Sequence, residues 1–133
     1  MKFLLDTNIC IYIIKQKPPK VFDRFRELSP TDIGISSITI AELEYSAYKS
    51  QRLAQNRSAL MQFLIPLEIV PFDERATQTY GQIRAELEKT GIVIGSMDML
   101  ITSQAIALEL TLVTNNVQEL SRIPGLTWEN WVE

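Results

Sequence analysis

"KFLLDTN", residues 2–8, carries an apolar run straight into an aspartate. Phe3, Leu4 and Leu5 are consecutive, so a strand built from them is apolar on both faces, the signature of a parallel sheet covered by helices on both sides. Other short apolar runs at about 33–36, 67–71, 110–114 and 126–130 read as further strands. Helical patterns lie between them. In Glu74 to Lys89, Ala76, Tyr80, Ile83 and Leu87 recur at three- and four-residue spacing, Asp73 can cap the start and Gly91 follows the end. Pro18 and Pro19 suit the first turn of a helix carrying Val21, Phe22, Phe25 and Leu28. Strands alternating with helices imply right-handed crossovers, and such sheets bind ligands outside the carboxyl ends of their strands. Asp6 stands at one of those ends. The Asp-Thr-Asn triplet is equally a good helix N-cap, so position alone does not assign it a function.

Composition narrows the chemistry. The 133 residues, 46% of them hydrophobic, are enough for one compact domain spanning 1–133, with no repeat or linker-like break. No basic leader precedes a long apolar stretch, and the longest apolar run, Ile9–Ile14, is too short to cross a bilayer, so a cytoplasmic protein without a membrane partner is expected. The single cysteine, Cys10, lies within that run and reads as core. Histidine is absent altogether, which excludes Ser-His-Asp and Cys-His catalysis and the usual imidazole ligands of zinc. A hydrolase built from this composition relies on carboxylates holding a hard ion such as Mg²⁺ or Mn²⁺. The net charge of −3 argues against a nucleic-acid partner only weakly, because acids gathered in a metal site bias the count. Lys15, Lys17, Lys20, Arg24 and Arg26 cluster near the N-terminus, either as a solvated helix face or as a phosphate-contacting rim.

Other acids can join Asp6. In "SSITIAELEYSA", residues 36–47, Thr39 and Glu42 match a capping box, while the wheel set by Ile40, Leu43 and Ala47 places Glu44 nearer the apolar face than Glu42. Both glutamates stay open on this reading. In "VIGSMDMLITSQAIAL", residues 93–108, Gly95 or Ser96 starts a helix with Asp98 in its first turn, on the face of Ile101 and Ala105. An inward carboxylate with no basic partner nearby in sequence needs a cation. In "TLVTNN", residues 111–116, Asn115 and Asn116 read first as turn formers whose carbonyl oxygens can also serve a metal ion or its water, and Glu119 follows one turn later.

Taken together, "LDTNICIY" at 5–12, "SSITIAEL" at 36–43, "IGSMDMLITSQA" at 94–105 and "LVTNNVQELSRIPGLTWENW" at 112–131 give a sequence that resembles the PIN-domain ribonucleases, and among them the VapC toxins of bacterial VapBC toxin–antitoxin pairs. The resemblance implies a three-layer α/β/α fold with a mostly parallel sheet of about five strands. It implies Asp6, Glu42 and Asp98 as metal ligands for Mg²⁺ or Mn²⁺, with Glu42 preferred over Glu44 because the glutamate of the "AEL" stretch is the family's acid. Asn116 stands where many PIN domains carry a fourth aspartate, a departure that bears on any second metal. Thr7, Asn8 and Thr114 become orienting groups.

The implied activity is endonucleolytic cleavage of structured RNA of the translation machinery, tRNA or rRNA. The implied partners are a small VapB-like antitoxin, through which alone operator DNA is reached, and a second copy in a homodimer. Two rival enzymes fit less well. A haloacid-dehalogenase-like phosphatase needs a second aspartate where Asn8 stands, and a phospho-receiver domain needs adjacent acids near the first strand. A catalytically silent PIN-like binding module is the rival from another class.

Overall fold

The structure, a computed structural model, describes residues 1–132. Strand β1 (Phe3–Leu5) leads into α1 (Thr7–Lys15) and α2 (Pro19–Glu27), and β2 (Ile33–Ser36) leads into α3 (Ser37–Lys49) and α4 (Leu53–Leu64). Then come β3 (Glu68–Val70), α5 (Glu74–Lys89), α6 (Ser96–Ala107), β4 (Thr111–Val113), the short α7 (Val117–Leu120) and β5 (Trp128–Glu129). All five strands are parallel, in the order β3-β2-β1-β4-β5. Strand β2 keeps the whole of its run at 33–36, whereas the later strands are shorter than their apolar runs, most of all β5, which keeps two residues of 126–130.

The triplet Phe3-Leu4-Leu5 shows why both faces are apolar. Successive side chains alternate across a strand. Phe3 and Leu5 join Ile33, Ile35 and Val113 in a core completed by Ile9, Cys10 and Ile13 of α1, Val21 of α2, Leu43 of α3, and Leu60 and Leu64 of α4. Leu4 faces the other way and packs with Val70, Leu112, Ile83 and Leu87 of α5, and Met99, Ile101 and Ala105 of α6. The molecule is therefore three layers, α/β/α, with β1 at the centre. Leu4, Leu5 and Ile9 are wholly buried, and truncating such a side chain to alanine costs about 2–5 kcal/mol. Gly34 in β2 permits tight packing across the sheet: a Cβ there would lie 2.9 Å from Val70 Cγ2 and closer still to Met1 Sδ.

The helix boundaries follow ordinary capping chemistry. Asp73 caps α5 by accepting from Ala76 N at 3.0 Å, and Gly91, two residues past its end, has φ +74°. Pro19 opens α2. The capping box expected at Thr39–Glu42 does not form. Ser36 caps α3 instead, its hydroxyl accepting from Ile38 N at 3.0 Å, because the strand ends there and the chain turns at once into helix. Glu42 is thereby released from any capping duty.

Candidate active site

From β1 the chain steps outward through β2 to β3, whereas β4 and β5 lie on the other side of β1. The strand order reverses between β1 and β4, and in open parallel sheets the crevice at the carboxyl ends beside such a reversal is where ligands bind. Asp6 follows β1 there. It both caps α1, its Oδ1 accepting from Ile9 N at 2.9 Å, and faces an open cleft of about 370 Å³. The cleft is lined by Asp6, Thr7, Asn8, Glu42, Asp98, Asn115 and Asn116. The two readings of Asp6 are thus compatible.

Glu42 reaches the cleft from α3. Thr7, the first residue of α1, donates its hydroxyl to Glu42 Oε1 at 2.5 Å and ties the two helices at the cleft wall. Glu44 does not reach it. Arg57 of α4 holds that carboxylate with two bonds, Nε to Oε1 at 2.9 Å and Nη2 to Oε2 at 3.0 Å. The helical wheel misled because α3 packs against α1, α4 and α6 at once, so its polar residues occupy separate flanks instead of one solvent face.

Asp98 enters from the first turn of α6, where the helix dipole favours an anion. Asn116, after β4, donates Nδ2 to Asp98 Oδ2 at 3.4 Å and to Glu119 Oε2 at 3.1 Å, while Glu119 Oε1 accepts from Gly95 N at 3.0 Å. Asn116 acts here as an amide bridge between two carboxylates. Asn115 donates to the Tyr12 hydroxyl at 3.1 Å and stays on the rim. Thr114 is fully buried behind the cleft and accepts from Asn116 N at 3.0 Å.

The electrostatics of this group are distinctive. Asp6 is only 6% exposed, and burial raises its pKa from 3.8 to about 6 against the lowering effects of Thr114 and the Ile9 amide, with Asp98 and Glu42 pushing the same way as burial. Burial and the charges of Glu119 and Glu42 also raise Asp98. Glu119 goes down, held by Asn116 and the Gly95 amide. Among the described residues, no basic side chain lines the cleft. The site therefore concentrates negative charge that a proton or an added cation would relieve.

Among the described residues, no three His, Cys, Asp or Glu side chains stand close enough to form a ready-made cage for an ion. Each carboxylate is drawn to a neutral neighbour instead: Asp6 to the Ile9 amide, Glu42 to Thr7 and Asp98 to Asn116. Mg²⁺ retains several waters and takes one or two protein carboxylates directly, so an oxygen-only, uncaged cleft of this size fits a hydrated hard ion.

Sequence reading missed two supporting residues. Gln104 is buried on α6; it accepts from the Ser36 hydroxyl and donates to the carbonyls of Val70 at 3.3 Å and Pro71 at 3.1 Å, fastening α6 to the strand ends of β2 and β3. Its visible signal was a glutamine among the apolar residues of 99–107. Tyr12, from the apolar run Ile9–Ile14, positions Asn115. Of the basic N-terminal cluster, left open between a solvated helix face and a phosphate-contacting rim, only the two arginines are ion-paired among the described residues: Arg24 lies 3.8 Å from Glu27 and 3.9 Å from Glu129, and Arg26 lies 3.7 Å from Asp23. None of it borders the cleft.

The family model for the PIN domain matches residues 3–126. Over 132 residues the chain is 48% identical to ribonuclease VapC2 of Rickettsia felis, covering 98% of each chain. It is 43% identical to the tRNA(fMet)-specific endonuclease VapC of Salmonella typhimurium over 131 residues, again 98% of each. The crystal structure of VapBC2 from Rickettsia felis bound to a promoter DNA fragment superposes with a TM-score of 0.92 at 47% identity, over 98% of this chain and 99% of that one. Sequence and backbone agree over nearly the whole length, and the acids gather where the parallel sheet reverses its strand order: the chain belongs to the PIN-domain family, in its VapC ribonuclease group.

Proposed function

We propose that this protein is a divalent-metal-dependent endoribonuclease that cuts tRNA, and the toxic half of a toxin–antitoxin pair. The observation that carries this reading is the convergence of Asp6, Glu42 and Asp98 on one cleft with no basic side chain among the described residues. Those three residues would hold Mg²⁺ or Mn²⁺, and a bound ion of that kind lowers the pKa of water and stabilises charge building on a phosphodiester. The chain's other groups keep the acids in place. Thr7 aims Glu42, Asn116 aims Asp98, and Thr114 backs Asp6. The choice of tRNA over rRNA rests on the Salmonella typhimurium relative, named for tRNA(fMet).

Two surface features support the partners. A groove of about 380 Å³ between α1, α3 and α4, lined by Ile11, Ile14, Leu43, Ala47 and Leu60, suits the apolar face of an amphipathic segment from a small VapB-like antitoxin, in keeping with the VapBC complexes among the structural relatives. Operator DNA would be reached only through that partner. Tyr45 and Tyr48 stand 66% and 60% exposed on α3 and offer apolar area to a second copy, giving a homodimer.

Purified protein incubated with total bacterial RNA and Mg²⁺ or Mn²⁺ should yield tRNA fragments with discrete ends on sequencing. Co-expression with the neighbouring small open reading frame should restore growth and give a co-purifying complex whose scattering mass corresponds to a multiple of two toxin chains. Intact tRNA throughout would refute the nuclease reading, and cleaved rRNA beside intact tRNA would replace its substrate.

The choice between the two glutamates has its own test. Glu42→Gln should lower the cleavage rate by about 10²–10³-fold, the scale of several kcal/mol of lost charge stabilisation. Glu44→Gln, which touches only the Arg57 pair, should stay within about twofold of the parent. The reverse ranking would move the acid to Glu44.

A further inference from the structure

The carboxylate cleft does not end at Asn116. That residue also lines a second, open groove of about 500 Å³, shared with Val93, Gln118, Glu119 and Arg122. A nucleic-acid strand with its reacting phosphate over the three acids is therefore continued, on this side, past Arg122. The Arg122 guanidinium is held by two backbone carbonyls, Nε donating to Glu119 O at 3.3 Å and Nη2 to Val93 O at 3.5 Å. It is exposed, and among the described residues no carboxylate oxygen lies within 4.0 Å of its nitrogens. A guanidinium carries five N–H donors, so donors remain to face outward in a fixed fork. The cations near the N-terminus lack this combination. Arg24 and Arg26 are ion-paired, and Lys15 borders the apolar groove.

We propose that Arg122 is a substrate-binding residue that grips a phosphate of the RNA strand where the strand leaves the carboxylate cleft over Asn116. A polyanion approaching an acidic site needs positive charge supplied beside that site, and an arginine already fixed by two carbonyls loses little freedom in supplying it. The inference rests on the ribonuclease reading and adds to it a position that sets affinity apart from chemistry. It also gives the exposed Val93, 83% accessible beside Arg122, the role of a wall against which the strand lies.

The test uses a fluorescein-labelled single-stranded RNA oligonucleotide, bound in metal-free buffer at several salt concentrations, together with cleavage kinetics on bulk tRNA. Arg122→Gln can still donate to a backbone carbonyl but carries no charge, whereas Arg122→Lys keeps the charge. Arg122→Gln should weaken binding and raise KM about tenfold, the loss of one charged hydrogen-bonding contact, and leave kcat within about twofold. Its plot of log affinity against log salt should be shallower by about 0.7, one phosphate contact on a single strand. Arg122→Lys should keep the parent's slope. If Arg122→Gln matches the parent in affinity and slope, the arginine only braces the Val93 segment and the proposal fails while the nuclease reading stands. If the parent binds RNA through Arg122 but cleaves none, the nuclease reading fails alone; if it binds no RNA, both fall.

Discussion

Asp6→Asn should abolish RNA cleavage, by about 10³-fold or more, and at the same time make the metal-free protein more stable at neutral pH. The two effects share one cause. Asp6 is almost fully buried, and its pKa stands at about 6 instead of 3.8. The folded state therefore binds a proton more tightly than the unfolded state, and stability falls as pH rises between about 4 and 6. Above pH 6 the cost is fully present, about 3 kcal/mol for that difference. Asparagine carries no charge to desolvate yet caps a helix as well as aspartate does, so it should still accept from the Ile9 amide. The expected gain is about 1–3 kcal/mol in denaturant unfolding at pH 7 with EDTA present, shrinking towards zero near pH 4. On the proposed reading of Asp6 as a metal ligand, activity falls because that ligand is lost, a matter of several kcal/mol in the transition state. A variant that is inactive and also unstable would instead mark Asp6 as a structural cap, and one that stays active within tenfold would remove it from the site.

Divalent ion should restore what Asp6 costs. Protein stripped with EDTA should be inert towards RNA, and Mg²⁺ at a hundred times its dissociation constant should stabilise the fold by about 2.7 kcal/mol. The ion competes with a proton for Asp6, so its affinity should be level above pH 6 and fall about tenfold per pH unit well below it. Calorimetry at pH 6 in buffers of different ionisation enthalpy should show about half a proton released from Asp6 for each ion bound. Stabilisation by Mg²⁺ that is equally strong in Asp6→Asn, or binding at pH 6 with no proton released, would place the ion elsewhere.

The architecture was legible because β1 announces itself: three consecutive apolar residues cannot serve a half-exposed sheet, and the structure divides Phe3 and Leu5 from Leu4 between two cores. The helix Glu74–Lys89 was legible for the opposite reason, being amphipathic with a clean cap, and it is found with those bounds. Helix α3 was not. A helix packed on three sides has no single polar face, so periodicity favoured Glu44, and the Arg57 partner that occupies Glu44 sits thirteen residues away on another helix. The resemblance to PIN domains favoured Glu42, which does line the cleft. Asp6, Glu42, Asp98 and Asn116 could each be suspected from sequence, but the raised pKa of Asp6 could not, since it comes first from burial in the folded protein. Gln104 and Arg122 escaped because each reaches at least one backbone carbonyl remote in sequence, Val70 and Pro71 for Gln104 and Val93 for Arg122, and such contacts leave no pattern in residue types.

Placing β4 beside β1 has a consequence for the timing of biosynthesis. Phe3 pairs with Thr111 and Leu5 with Val113, so the first strand made must wait for one of the last before its second neighbour arrives. Thr114 and Asn116, which hold Asp6 and Asp98, emerge later still. Since chains leave the ribosome from the N-terminus onward, a growing chain can pair β1 with β2 and β2 with β3 yet has no closed cleft. The carboxylates come together in one late step, after most of the polypeptide has been translated. A chain truncated before β4 thus has no closed cleft by topology alone, and on the toxin reading proposed above the interval in which the molecule needs a restraining partner opens only near the end of synthesis.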